Sequence, residues 1–446
     1  MSLIVILIFA VLFWTVRLLV ANKLMRSVMY VYLGYWLLSL TVSITNPYGY
    51  YGVSIKTYSL LIANVIFFTI GVLSCRRKSN SNINLYQSNN VRYQVEGLID
   101  NKLFLTLLII SDIILIYLYI RFSALLANYS AVDVRTNADL LFEGNSFLSL
   151  TYNLFLNPFC SIIMLLGAYL VVYNRKKILP LVLMISFIYL YSEVTVSRLS
   201  FFRFFLCVLF VFFCKSFISE NTKKHRFNLG RLIGVVASIL LVFSVLSFMT
   251  AQRNHGVNGF SLQAVSIGVD DLLQDFASYS IGPFRAFDHA INSDYVSRFG
   301  GYQYGRCTFG FVDCFFELIV RRLGIGYNSA YSKVINVLQN EWIDIGGGNT
   351  FNFAYTAVLS FYTDLGYVGV VLFPFLFGYI FNYFVMKFEK KQNVALLVLL
   401  SFFFFVAVFT VFSWRLDRHN STFLFIYLYI ISRRLDKKKD IMIEKK

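Results

Sequence analysis

Apolar residues along this chain fall in runs close to the 20 or so that an α-helix needs to cross a bilayer. Short polar breaks separate them. The pattern predicts spans at Ser2–Val20, Val28–Ile44, Thr57–Ser74, Leu103–Ile120, Phe155–Tyr173, Ile178–Val196, Leu199–Phe217, Leu232–Met249, Leu365–Met386 and Val394–Phe412. Ser421–Ser432 is shorter and is supported by the stop signal Arg433, Arg434 and Lys437 to Lys439 that follows it. The expected fold class is therefore an all-α polytopic integral membrane protein of about eleven transmembrane helices, with ten to twelve as the range. The start, MSLIVILIFAVLFW, lacks a basic leader and a small-residue cleavage site, so it reads as a retained first span.

One segment breaks the rhythm. Phe351 to Met386 is nearly continuous apolar sequence of 36 residues. As helix it would run about 54 Å, against a hydrocarbon core of about 30 Å. Two full spans there would put Lys387, Lys390 and Lys391 on the wrong side. Phe351–Thr363 is therefore expected to be an interfacial or re-entrant helix, broken near Asp364-Leu365-Gly366. Irregular backbone at that depth is tolerated only against protein or a water-filled cavity, so the break predicts a cavity wall.

Charge fixes the orientation. Of the 40 Lys and Arg residues, 26 fall in one set of alternating loops and 14 in the other. By the positive-inside rule the richer set is cytoplasmic, which puts the N-terminus outside and the C-terminus inside. The richer set is mostly Lys; the outer set is Arg apart from Lys56 and Lys333. Arg outlasting Lys suggests planar, bidentate recognition of phosphate or carboxylate on the outer side. The chain then divides into an eight-helix membrane region (1–249), a large outer loop with amphipathic helices (250–350), a C-terminal membrane region (351–432) and a basic cytoplasmic tail (433–446). In the outer loop, FVDCFFELIVRRLG puts Phe311, Phe315 and Leu318 on one face, which suits a helix lying on the bilayer surface.

Composition narrows the classes further. With 58% hydrophobic and 14% charged residues, the chain is far from the soluble norm of about 25% charged. The net charge of +17 belongs to the cytoplasmic loops and does not point to nucleic acid. Six cysteines make no framework; Cys307 and Cys314 share the outer loop and could pair in an oxidising compartment, whereas if that stretch is helical two turns, roughly 10 Å, separate them too far for a bond. There is no P-loop, H-E-x-x-H, C-x-x-C or Asp-x-Asp pair. Neither a metal nor another cofactor is expected.

The candidate chemistry is an Arg-rich outer surface with scattered carboxylates. Arg198 and Arg203 sit at the outer mouth of two adjacent spans with Glu193 just before them. Snorkelling to headgroups accounts for them, and so does a grip on a lipid-linked pyrophosphate. Arg253 and His255, in TAQRNHG, stand where a span exits into the outer loop and suit leaving-group stabilisation and proton transfer, or a solvated loop start. Among Arg285, Arg298, Arg306, Arg321 and Arg322, one or two are expected to line a site. Arg415 and Arg418, with Asp417 and His419 beside them, read as a tied-down short turn. Asp364, at the break, is the carboxylate best placed for a raised pKa and a general-base role; a helix cap is the plainer account. Asp112 lies within a span, where an ionisable group is a functional candidate or a hydrogen-bonded structural one.

Two stretches, VSRLSFFRFFLCVLF and GGGNTFNFAYTAVLSFYTDLGYVGVVLFPFLFGYIF, resemble the Wzy-type O-antigen (oligosaccharide repeat-unit) polymerases. The likeness lies in a Ser-Arg before a span, then Asn-Thr, an aromatic run, Asp-x-Gly-x-x-Gly and a Gly-bearing span; elsewhere it rests on span count and loop placement. It implies a GT-C-like, metal-independent inverting glycosyltransferase of the bacterial inner membrane, its active site facing the periplasm. Such an enzyme moves the growing glycan from undecaprenyl pyrophosphate to an incoming undecaprenyl-pyrophosphate-linked repeat unit. The implied partners are those lipid-linked oligosaccharides, the bilayer and a chain-length regulator protein. The family's outer-loop Arg residues carry over by position to Arg198 and Arg253, and more weakly to Arg306, Arg321 and Arg322. Asp364 matches the Asp of the Asp-x-Gly element. An O-antigen ligase or a polysaccharide flippase is the alternative.

Overall fold

The computed structural model describes residues 2–47, 49–75, 88–129, 134, 138–142, 144–173, 177–195, 197, 199–218, 244, 247–248, 250–251, 255, 261–339, 341–351 and 354–444. The N-terminal region holds α1 (Ser2–Leu19), α2 (Lys23–Thr45), α3 (Ile55–Ser74), α4 (Ser88–Ile99), α5 (Lys102–Leu125) and the short α6 (Ala138–Phe142). Next, α7 (Ser146–Thr151) runs through a π-helical turn (Tyr152–Leu156) into α8 (Asn157–Tyr173), followed by α9 (Ile178–Val194) and α10 (Leu199–Ile218). The outer segment carries α11 (Leu262–Asn292), α12 (Tyr295–Arg298), α13 (Gly310–Arg322), α14 (Ala330–Gln339) and a hairpin of β1 (Ile343–Gly346) and β2 (Asn349–Phe351). The chain closes with α15 (Thr356–Lys391), α16 (Val394–Phe409) and α17 (His419–Glu444).

Six of these helical stretches are long and apolar enough to cross a membrane: Ser2–Leu19, Lys23–Thr45, Ile55–Ser74, Lys102–Leu125, Ser146–Tyr173 and Thr356–Lys391. Ile178–Val194, Leu199–Cys214 and Val394–Phe409 are apolar but shorter. The expected span Leu232–Met249 falls almost wholly outside the described residues. Helix starts follow local chemistry. Asn22, Ser54, Asn101 and Asn393 each turn a side-chain oxygen back onto an N–H of the first turn. The hairpin is a small departure from an all-helical chain.

The most extensive helix pairing is α3 against α15, and small residues set it. A Cβ on Gly71 would stand 2.0 Å from the Phe375 carbonyl oxygen, and one on Gly378 2.2 Å from that of Phe68. Backbones this close gain contact area where lipid supplies no hydrophobic drive. The outer segment is pinned to the same corner. Arg285 of α11, 5% exposed, donates to Ser43 Oγ at 3.0 Å and Asn46 Oδ1 at 3.2 Å. Asp288 accepts from Thr57 Oγ1 at 2.6 Å, from the Ser54 N–H at 3.2 Å and from Ser54 Oγ.

Two expectations need correction. The helix before the break begins at Thr356, not Phe351, because Phe351 pairs with Ile343 in the hairpin. And α13 does not lay its Phe311 and Phe315 face on a bilayer. Those rings pack edge-on against Phe425 and Phe423 of α17, with centroids 5.3 and 5.8 Å apart.

Candidate functional site

The break predicted at Asp364-Leu365-Gly366 is present. Inside α15, Leu365 has φ −142°, ψ 23° and Gly366 has φ 59°, ψ −137°. A side chain at Gly366 would meet both a left-handed backbone and the Tyr302 hydroxyl at 3.1 Å. A broken helix leaves carbonyls without their usual donors. Here the Thr363 and Asp364 carbonyls accept the N–H groups of Gln303 at 3.0 Å and Tyr304 at 3.1 Å.

The Asp364 side chain completes the clamp. It is fully buried, and its two oxygens accept the N–H groups of Cys307 at 2.9 Å and Thr308 at 2.7 Å. A carboxylate held this way anchors a turn, with both oxygens already engaged. That geometry favours a positioning role over the general-base one expected of it. The turn it holds leads to Arg306, whose Nε donates to Asp313 Oδ1 at 3.0 Å. Asp313 also accepts the Ala330 N–H at 2.6 Å, which fixes the first turn of α14.

Between α14, the first half of α15 and the turn from α16 to α17 lies a cavity of about 60 Å³, lined among others by Tyr331, Ser360, Thr363, Ser413, Trp414 and Asp417. That is room for water or for one hydroxyl-bearing arm of a larger molecule. Thr363 Oγ1, Ser413 Oγ and Asp417 Oδ1 are shielded and have no hydrogen-bond partner among the described residues. A buried polar group left unpaired costs about 1–3 kcal/mol. The lining is therefore set up for a guest.

Two guanidinium groups, Arg415 and Arg418, flank the lining residue Asp417 in sequence, and Arg203 is near enough to Arg415 to act on its charge. Arg415 lies over the rings of Phe409 at 4.4 Å and Phe412 at 5.8 Å, and its Nε has no partner among the described residues. Arg418 lies over Tyr331 at 5.2 Å, with its Nε 3.9 Å from Asp417 Oδ1. Arg203 of α10 lies over Phe405 at 4.9 Å and donates to Ser161 Oγ. Burial, together with the charges of Arg418 and Arg203, pushes Arg415 down to about 10 despite the nearby Asp417. It still carries its charge at neutral pH. Burial also raises the Asp417 carboxyl against the pull of Arg418 and Arg415, and burial and Arg418 lower the His419 imidazole. Guanidiniums stacked on aromatic faces and short of carboxylates are poised for an incoming anion.

The other sequence candidates scatter. Arg306 is saturated by Asp313, the Tyr327 hydroxyl at 2.8 Å and the Asn328 carbonyl at 2.9 Å. Arg321 pairs with Glu317 at 2.7 Å, and Arg322 is exposed without a pair among the described residues. His255 contacts Asp271 at 2.8 Å rather than the cavity. Glu193 is half-buried near the end of α9 without an ion pair among the described residues. Arg198 and Arg253 lie outside the described residues. Arg298 pairs with Glu341 at 2.8 Å. Cys307 and Cys314 are both free. Asp112 is 5% exposed in α5, its oxygens without a hydrogen bond among the described residues.

No protein-family model, curated protein or solved structure matches the chain. The geometry therefore has to carry the reading alone. The turn Arg415-Leu416-Asp417-Arg418-His419, expected to be merely tied down, instead keeps Arg415 Nε and Asp417 Oδ1 without a hydrogen bond among the described residues. Its signal was there: two cations, an acid and an imidazole within five residues between apolar helices.

Proposed function

We propose that this chain is a polysaccharide repeat-unit polymerase of the bacterial inner membrane. It crosses eleven times with its N-terminus outside, and it transfers a growing glycan from a polyprenyl pyrophosphate to the sugar of an incoming lipid-linked repeat unit. The observation that carries this reading is the pair Arg415 and Arg418 on either side of Asp417, which lines a small hydroxyl-bearing cavity, with Arg203 near enough to act on the charge of Arg415. Charge on a departing pyrophosphate grows in the transition state. Preorganised guanidiniums in a low-dielectric site stabilise it, and losing one such donor costs roughly 10²–10³-fold. Arg198 and Arg253 are proposed to join this group from the neighbouring outer ends. Beyond the break, α15 and α3 flank an apolar groove of about 540 Å³, walled by Ile70, Tyr367, Val371 and Phe375 among others. Such a groove suits an isoprenoid chain.

Deleting the gene tests the reading directly. A lost polymerase leaves surface lipid capped by single repeat units, whereas a lost ligase leaves none. Unchanged surface glycan removes both. Within the polymerase reading, Arg198→Ala and Arg253→Ala should each abolish ladder formation while the protein stays inserted. Lys should rescue poorly, because a point charge does not reproduce the fork.

A further inference from the structure

We propose that Asp417 is the catalytic base and that the cavity beside it admits the attacking hydroxyl of the acceptor sugar; this deepens the polymerase reading and rests on it. A space of about 60 Å³ admits a hydroxyl and the carbon that bears it. The lining then sets the chemistry. Thr363 is 1% exposed and its Oγ1 has no hydrogen-bond partner among the described residues; Ser413 Oγ and Asp417 Oδ1 are in the same condition. These groups offer both donors and acceptors to a neutral alcohol.

Elimination singles out the carboxylate. Asp364 is spent on two N–H groups, Asp313 on Arg306, Tyr327 and Ala330, and Glu317 on Arg321 and Ser332. Asp417 alone among these four lines the cavity, and its Oδ1 accepts no hydrogen bond among the described residues. Its one ionic contact, Arg418 at 3.9 Å, leaves a lone pair for a hydroxyl and ties base and leaving-group cations into one turn.

In the step, the acceptor O–H proton passes to Asp417 Oδ1 and the oxygen's electron pair forms the bond to the donor's anomeric carbon. The bond from that carbon to the pyrophosphate oxygen breaks, and its electron pair leaves with the polyprenyl pyrophosphate beside Arg415 and Arg418. No oxidant, reductant or further reactant is needed.

The test uses the full chain, in cells for ladder length and in nanodiscs for binding of farnesyl pyrophosphate. Asp417→Asn keeps the shape and should cut chain extension by about 100-fold or more, while farnesyl pyrophosphate binds as before. Thr363→Val should cut extension by about fivefold, one lost hydrogen bond, again with binding intact. Normal ladders from Asp417→Asn would overturn the proposal. So would equal losses of extension and binding, since Asp417 would then serve only to hold Arg418. Should Asp417→Asn fail to insert, normal extension by both Thr363→Val and Ser413→Ala would overturn it instead. A gene deletion that leaves surface glycan unchanged defeats the polymerase reading itself, an outcome recognisable without any Asp417 variant.

Discussion

Two groups of arginines differ in what surrounds them. Arg298, Arg306 and Arg321 each meet a carboxylate within 3.0 Å. Arg203, Arg415 and Arg418 lie over aromatic rings, and their one ionic contact is 3.9 Å long. The first group is electrostatically complete and holds the outer segment in shape. The second keeps positive charge in a partly desolvated place, which is costly unless something else neutralises it. The contrast teaches that pairing, rather than the count of cations, marks the region built to receive an anion.

The strongest way to break the comparison is Arg415→Ala. Chain extension, read from ladder length at equal membrane protein level, should fall by roughly 10²–10³-fold. An equal loss from Arg306→Ala, in protein of unchanged thermal stability, would erase the distinction. Asp313→Ala comes next. It strands Arg306 and the Ala330 N–H, so the melting midpoint in detergent should drop by the equivalent of about 3 kcal/mol. Extension per folded molecule should hold at low temperature, because the damage is to shape. Gly366→Ala sharpens the link between the two groups, since the break positions both the anchored turn and the cavity wall. Its left-handed backbone should cost about 1–2 kcal/mol, visible as a lower midpoint, with a further loss if Tyr302 does not yield. The smallest effect belongs to Arg322→Ala. An exposed cation with no pair among the described residues should change stability by less than about 0.5 kcal/mol and leave the ladder alone.

Much of the scaffold was legible in the chain. Apolar run length located α1, α2, α3, α5, α8, α9, α10, α15 and α16, because a helix is a local structure and burial in lipid asks only for uninterrupted hydrophobicity. The break was legible too: a 36-residue run is too long for one crossing, and Asp-Leu-Gly is the polar interruption within it. The amphipathic face of α13 was read correctly as a face but given the wrong partner. Phe311 and Phe315 fit an aromatic helix as well as a bilayer, and periodicity does not say which is present. Asp364 was picked for its position and turned out to be an anchor, since two N–H groups from 57 and 56 residues away close on it.

By itself, then, the sequence determined the helical class and the place where α15 must break. Each follows from local length or polarity. Which arginines stay unpaired, and which carboxylate keeps a free oxygen, was decided only when α10, α13, α14 and the turn before α17 packed together. Pairing depends on who arrives within hydrogen-bond reach, and contacts between residues 203 and 405 or 313 and 330 are fixed by the tertiary fold rather than by any spacing along the chain.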